Sequence, residues 1–156
     1  MITERVIDEL NKKLSGKIKN LFRKNDRRLY VDIDKKDIVE SARILYQEFK
    51  ARFSIATGLD TFKGIEILYH FSLDRQGGIF ISLRVLIEDK NNPEIESLSG
   101  LFKASEWIER EIYEMLGVNF KGHPELKRLL LADDWPEGKY PLRKDFVSEK
   151  GLPENE

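Results

Sequence analysis

The sequence predicts an α+β fold, in which helices cover a mixed, mainly antiparallel sheet of about four to five strands. Residues 65–73 and 79–87 each place a large apolar residue at every second position, as half-buried strands do. A loop with two adjacent glycines, Asp74–Gly78, joins them as an antiparallel hairpin. Because ten large apolar residues on one sheet face would aggregate if exposed, helices must cover that face.

The first third of the chain predicts two helices and two strands. They are, in order, a helix over 2–14 that ends at Gly16, short strands over 18–23 and 29–33 around an Asn25-Asp26 turn, and a helix over 35–50. Asp34 is placed to cap the second helix, because its side chain can accept a hydrogen bond from the first turn. Along that helix, one apolar face is formed by Ile38, Ala42, Leu45 and Phe49.

Beyond a further strand near residues 53–57 and the hairpin, the chain predicts a loop, a C-terminal helix and an extended irregular arm. The loop spans residues 89–104, and Ser105 is expected to cap a helix that Gly117 ends after Leu116. Some thirty residues then show little periodicity but contain many aromatic and aliphatic side chains, which disordered segments lack. We therefore expect residues 1–104 to form the sheet region and residues 105–156 the helix and docking arm of the same domain.

Composition limits the chemistry that this chain can perform. Its 156 residues suit one domain, 40% are hydrophobic and 35% are charged. No apolar run approaches the roughly 18 to 20 residues that span a bilayer, and the N-terminus does not resemble a signal peptide. Since cysteine is absent and only two histidines occur, we expect no thiol chemistry, no cysteine-held iron–sulfur cluster and no multi-histidine metal site.

The charge is unevenly distributed along the chain. Residues 1–36 hold 11 Lys or Arg against 6 Asp or Glu, whereas the remaining residues hold 16 against 22. A basic first quarter could bind an acidic partner. One hypothesis is therefore a free-standing binding module that uses the basic stretch 17–28 on nucleic acid or anionic lipid. Solvated charge around a helix and a strand is the simpler interpretation.

Four glutamates of the C-terminal helix, residues 106, 109, 111 and 114, are candidates for acid–base or metal chemistry. Glu111 and Glu114 share a face, but no histidine follows at the spacing that would complete a metal ligand set. Glu106 precedes Arg110 by four residues, the favourable order for a helical ion pair. Structural or interface charge is therefore favoured for these residues, and no catalytic, cofactor-binding or metal residue is predicted.

The two histidines are weak candidates for chemistry. His70 lies on the less apolar face of its strand without an evident partner. His123 stands between Gly122 and Pro124, where a histidine more often bonds the backbone than a metal. A hydrolase or metalloenzyme built on Glu111, Glu114 and His123 is the least favoured alternative.

Family resemblance rests on the segment that begins in the C-terminal helix. Residues 109–131 read EREIYEMLGVNFKGHPELKRLLL, and Asp134-Trp135 and the run 141–146, PLRKDF, follow. This pattern resembles the signature of the 30-kilodalton subunit family of respiratory complex I. Relatives of that family also occur in membrane-bound nickel–iron hydrogenases and in ferredoxin-dependent sulfur-reducing complexes. Glu114 stands where an aspartate is common in the family. The short tail and the many Lys and Glu residues favour an archaeal hydrogenase-type or sulfur-reducing relative over a bacterial NADH dehydrogenase.

The resemblance implies a non-catalytic structural subunit of the hydrophilic arm of a membrane-bound respiratory redox complex. It implies docking on a large catalytic subunit, which holds a quinone or nickel–iron site, near a small iron–sulfur subunit. It further implies that this chain binds no cofactor of its own. It also implies a peripheral location on the cytoplasmic face of the cell membrane, no nucleic acid, and membrane contact only through the complex. By resemblance, the positions at the subunit interface are Arg110, Glu111, His123, Arg128, Trp135, Arg143, Lys144, Asp145 and Phe146.

Overall fold

The computed structural model describes residues 1–147, so the last part of the predicted arm, residues 148–156, lies outside it. Most of the regular elements follow one another in the order that the sequence predicts. They are α1 (Ile2–Lys13), β1 (Ile18–Asn25), β2 (Arg28–Ile33), α2 (Ile38–Gln47), β3 (Arg52–Asp60), β4 (Ile65–Leu73), β5 (Ile79–Ile87), β6 (Glu94–Glu96), α3 (Ser105–Leu116) and β7 (Asn119–Lys121).

Five strands form one mixed sheet, which confirms the predicted fold class. Their order is β1-β2-β5-β4-β3, and β2 and β5 run parallel while the other neighbours are antiparallel. The predicted hairpin is β4–β5, in which Tyr69 lies opposite Leu83. β1 and β3 are the two edges of this sheet.

The core lies on the sheet face that the alternation predicts. All the alternating apolar residues of β4 and β5 are buried, and Val6 and Leu10 of α1 and Ala42 and Leu45 of α2 belong to the same cluster. The C-terminal helix α3 adds to this cover, because a Cβ at Gly58 of β3 would lie only 2.6 Å from Leu116 of α3. Glycine at this position lets the helix approach the strand closely.

The second helix is shorter than predicted. A 3₁₀ turn, Lys35–Asp37, precedes it, and the Asp34 carboxylate accepts the N–H of Lys36 at 3.1 Å, as a cap should. The prediction of one helix over 35–50 is wrong at both ends. The chain leaves the helix after Gln47 because Lys50 adopts a φ of 54° and the N–H of Ala51 returns to the carbonyl of Leu45 at 3.0 Å.

Two local predictions around α3 are also wrong. Ser105 is the first residue of the helix rather than its cap, and its hydroxyl donates back to the carbonyl of Phe102 at 2.8 Å. The segment 89–104 is not entirely loop, since it contains β6, which pairs in parallel with β7. A three-residue strand that pairs with a distant segment has too little periodicity to be recognised in the sequence.

Candidate functional site

The C-terminal arm, residues 117–147, leaves α3 and folds back on it. Gly117 ends the helix with a φ of 77°, and a Cβ there would lie 2.6 Å from the ring of Tyr140. The N–H of Leu142 donates to the carbonyl of Met115 at 3.1 Å, near the end of the helix. The arm is therefore an ordered segment that packs on its own helix.

Glu114 joins the middle of the arm to α3. Its buried carboxylate accepts three consecutive backbone N–H groups, those of Leu129 at 2.9 Å, Leu130 at 2.7 Å and Leu131 at 3.2 Å. Hydrogen bonds to an ionised group are stronger than neutral ones, and here they replace the water that a buried charge has lost. Glu114 is thus a structural anchor, and its carboxylate oxygens are already engaged.

Arg110 and His123 hold the first part of the arm. The guanidinium of Arg110 donates to the carbonyls of Lys127 at 3.0 Å and Arg128 at 2.6 Å. Within residues 1–147 it forms no ion pair with Glu106, so the predicted helical pair is wrong, because the arm offers this guanidinium carbonyl acceptors instead.

The ring of His123 bridges two backbone groups. Its Nδ1 accepts the N–H of Glu125 at 3.0 Å, and its Nε2 lies 2.9 Å from the carbonyl of Glu106. Since Nδ1 must accept, Nε2 carries the proton and donates. This confirms the expectation that His123 bonds the backbone.

Arg143 fastens the end of the arm at a junction of three elements. It donates to the carbonyl of Leu116 at 2.6 Å and to that of Lys90 at 2.7 Å, and its guanidinium lies 5.1 Å from the Tyr140 ring centre. Cations near the last carbonyls of a helix also interact favourably with its dipole. One side chain thereby links the arm, the end of α3 and the loop after β5.

Asp60, at the end of β3, completes this junction. Its carboxylate accepts the backbone N–H of Lys144 at 2.9 Å and pairs with the Lys90 ammonium at 2.5 Å. Burial alone would raise the pKa of this carboxyl, but the Lys90 ammonium and the Lys144 N–H outweigh it and lower the pKa below its ordinary value. The ionised form is therefore the one that holds the arm.

The outer loop of the arm is closed by aromatic packing. Trp135 and Phe146 stack with ring centres 5.7 Å apart, and the Trp135 indole N–H donates to the carbonyl of Lys139 at 2.8 Å. The Arg128 guanidinium donates to the carbonyls of Ala132 and Asp133, each at 3.4 Å. These contacts order a segment that has almost no regular secondary structure.

Glu109 lies on the buried face of α3. Its carboxylate accepts the N–H of Leu98 at 2.7 Å and the hydroxyl of Ser97. Burial raises the pKa of Glu109, although these two hydrogen bonds oppose the shift. Burial, and to a smaller extent the Glu109 charge, raise the pKa of the enclosed Tyr69 hydroxyl.

Large apolar side chains remain exposed where α3 and the arm meet the solvent. Their exposed fractions are 64% for Trp107, 62% for Leu130 and 59% for Leu142. None of the three is among the predicted site residues. Helical spacing could have identified Trp107 as exposed, because it lies off the buried face of α3. Leu130 and Leu142 lie in irregular segments, where no periodicity indicates which side chains are exposed.

Comparison with known proteins assigns the chain, including its arm, to a family. The sequence model of the family described as "Respiratory-chain NADH dehydrogenase, 30 Kd subunit" matches residues 31–151, which is most of the chain and includes the whole described arm. The chain belongs to this family. The resemblance carried by residues 109–146 is thereby confirmed.

Two curated relatives that this chain matches are longer than the chain itself. One is NAD(P)H-quinone oxidoreductase subunit J of Prochlorococcus marinus, 45% identical over 67 residues, which are 43% of this chain and 35% of the relative. Another is the C/D subunit of the NADH-quinone oxidoreductase of Bacteroides thetaiotaomicron, 37% identical over 91 residues, which are 58% of this chain and 17% of the relative. The matched region therefore spans about a third or less of these relatives.

Solved structures show the same fold at lower identity. The membrane-bound sulfane sulfur reductase, an archaeal respiratory membrane complex, contains a chain with a TM-score of 0.78 and 24% identity, over 92% of this chain and 85% of that one. A trypsin-resistant fragment of Nqo5 gives a TM-score of 0.66 and 21% identity, over 81% of this chain and 100% of the fragment. At these identities the likeness establishes the fold of the family.

The family's signature residues divide into two groups in this structure. Most hold the arm in place from within, namely Arg110, His123, Arg128, Trp135, Arg143 and Phe146. The side chains of Glu111, Lys144 and Asp145 make no hydrogen bond or ion pair with any residue in the described part of the chain. The first group therefore shapes the surface of the arm from inside.

The structure offers nothing for the alternative chemistries among residues 1–147. No group of three or more His, Asp or Glu residues in that range could hold a metal ion, and no helix there is long and apolar enough to cross a bilayer. Half of the six Lys and Arg residues in the basic stretch 17–28 are compensated, because Lys17, Lys19 and Arg23 pair with acidic side chains. Neither a metalloenzyme nor a polyanion-binding module gains support.

Proposed function

We propose that this chain is a non-catalytic structural subunit of the hydrophilic arm of a membrane-bound respiratory redox complex. It docks through α3 and the C-terminal arm on the large catalytic subunit, close to the small iron–sulfur subunit. It contributes no redox group, and it supports electron transfer by holding the large and small subunits in fixed relative positions. The complex places it peripherally on the cytoplasmic face of the membrane.

One observation carries this proposal: the arm is fixed from within and still exposes large apolar side chains. Glu114 and Arg143 hold the chain by charged hydrogen bonds to backbone groups, so the surface exists before a partner arrives. Trp107, Leu130 and Leu142 are more than half exposed on that surface. Exposed apolar residues on a preorganised scaffold are typical of protein–protein interfaces, in which tryptophan and arginine are enriched.

Family membership indicates the kind of partner. The matched relatives are named as subunits of quinone oxidoreductases, and one of them carries the double designation C/D in its name. The structural neighbour belongs to a respiratory membrane complex. These names support a partner subunit within a redox complex over a nucleic acid or a small molecule.

The test is retention of the large subunit by the tagged chain in cells that express the whole complex. Trp107→Glu places a charge on the exposed surface, and Arg143→Ala loosens the arm beneath it. Each should reduce recovery of the large subunit about tenfold or more, the effect of losing one interface anchor. Phe22→Glu is the matched control, because Phe22 is 55% exposed on β1, at the sheet edge far from α3.

Two results would overturn the proposal. If both variants retain the large subunit at the level of the control and redox turnover is unchanged, α3 and the arm are not the anchor. If Phe22→Glu also loses the large subunit, a new charge anywhere on the surface is enough to cause the loss. The position of Trp107 would then carry no information, and the proposal would fail.

A further inference from the structure

The two edges of the main sheet are very different. β1 carries Lys19, Arg23 and Lys24 and has two register irregularities, features that protect an edge strand from pairing. β3 carries no charge between Ile55 and Leu59, and its single irregularity lies before that stretch. Only β1 therefore has the protection expected of an edge that faces solvent.

The backbone of β3 is available on its outer side. An antiparallel edge strand directs the N–H and C=O groups of alternate residues away from its neighbour. Within residues 1–147, the backbone of 54–59 forms hydrogen bonds with β4 and with no other element. These outward groups can pair with another extended chain.

A groove runs beside this open edge. One part, of about 290 Å³, is lined by residues 55–58 of β3 on one side and by Ile108, Met115 and Leu142 on the other. A second part, of about 310 Å³, continues toward Trp107 and shares Ile55 and Ile108 with the first. The groove thus lies between the β3 edge and mainly apolar residues of α3 and the arm.

Glu111 gives the groove a charge. Its side chain lines both parts of the groove and forms no ion pair or hydrogen bond with any of residues 1–147. The rest of the lining is mainly apolar and contains no Lys or Arg. A cation of a bound segment could therefore pair with this carboxylate without displacing another cation from the groove. The groove therefore favours an occupant with a Lys or Arg at one position.

We infer that this groove receives an extended segment of the large subunit, which adds a strand to the sheet at β3. The segment pairs its backbone with 54–59, turns apolar side chains toward α3 and places a Lys or Arg against Glu111. Six paired residues span about 20 Å, the usual length of a short strand. This inference rests on the proposed function for the identity of the partner.

A second copy of this chain fits the groove less well. Pairing two β3 edges would bring residues 55–59 of one copy against those of the other, and this stretch holds no cation for Glu111. The asymmetry of charge across the contact favours a different chain.

Hydrogen exchange on unmodified protein tests the pairing directly. The full-length chain alone is compared with the same chain in the purified complex. Outward amides of β3 should exchange rapidly in the free chain and at least about tenfold more slowly in the complex, because a new hydrogen bond must open first. Amides of β1, the opposite edge, should exchange at the same rate in both samples.

Two substitutions separate the groove from the arm. Ile55→Lys charges the edge and Glu111→Lys reverses the charge in the groove, and each should lower recovery of the large subunit about tenfold. Phe22→Lys is the matched control, since Phe22 and Ile55 are 55% and 51% exposed on opposite edges. Both exposed positions tolerate a lysine without burying it.

The outcomes distinguish this inference from the proposed function. If Arg143→Ala loses the large subunit while β3 exchange stays fast and the groove variants bind normally, strand addition is wrong and the arm remains the anchor. If the groove variants alone lose the large subunit and β3 becomes protected, strand addition stands and the anchoring role of the arm falls. If the free chain is a dimer with β3 already protected, a second copy occupies the edge and the inference is overturned.

Discussion

Replacing Glu114 with glutamine keeps the size of the side chain, removes its charge and exchanges one acceptor atom for an NH₂ donor. In the native protein, Oε2 accepts the N–H groups of Leu129 and Leu131, and Oε1 accepts that of Leu130. A glutamine has one carbonyl oxygen and one NH₂ group. When its oxygen takes the place of Oε2, its NH₂ group must face the N–H of Leu130, and two donors meet.

The cost follows from these three bonds. Two charged hydrogen bonds become neutral, a loss of about 1 kcal/mol each, and one N–H loses its partner at about 1–3 kcal/mol. Because the arm lies near the surface, water replaces part of the lost hydrogen bonding. We therefore expect the free energy of locally opening residues 129–131 to fall by about 3 kcal/mol. Such a change increases the open population roughly a hundredfold.

Amide hydrogen exchange at Leu129, Leu130 and Leu131 measures that opening. Exchange there should accelerate by about two orders of magnitude in Glu114→Gln, while the amides of β4 and β5 remain as slow as before. Glu106→Gln on the same helix is the control, because the Glu106 side chain makes no hydrogen bond within residues 1–147. Unchanged exchange at all three leucines would show that the carboxylate does not hold the arm.

Two further predictions concern stability. Gly117→Ala should lower the melting temperature in thermal denaturation, because a φ of 77° costs a non-glycine residue about 1–3 kcal/mol and the new Cβ would meet the ring of Tyr140; an unchanged melting temperature would refute this. Burial raises the pKa of Glu109 above its ordinary 4.5, so the folded protein binds the extra proton and stability falls as the pH rises from about 4.5 through the raised pKa. Glu109→Gln should remove this fall in urea unfolding, and an identical pH slope in both proteins would contradict the assignment.

Much of the fold was predictable because its signals are local. Alternating apolar residues identified β4 and β5, and helical spacing identified α1, since each pattern is complete within one short segment. The end of α2 was not predictable, because Lys50 leaves the helix with a positive φ although glycine is the usual residue there. The β6–β7 pair was missed because neither three-residue strand has a pattern of its own.

The candidate site was only partly predictable. The signature indicated that Arg110, His123 and Arg143 matter, but not that each binds a backbone carbonyl of a distant segment. Glu114 was assigned correctly to structural charge, yet its three donors lie 15 to 17 residues further along the chain. Such pairings depend on the path of an irregular segment, for which the sequence has no periodicity.

By itself, the sequence determined the α+β class, the apolar face of the sheet and the family, because periodicity and a dense motif are properties of neighbouring residues. Only the tertiary structure decided that the arm is held by buried carboxylate and guanidinium contacts, and that β3 borders an open groove beside α3. The physical reason is that a hydrogen bond forms between groups brought together in space. The groups that form the arm's contacts and the groove are separated along the chain and meet only after folding.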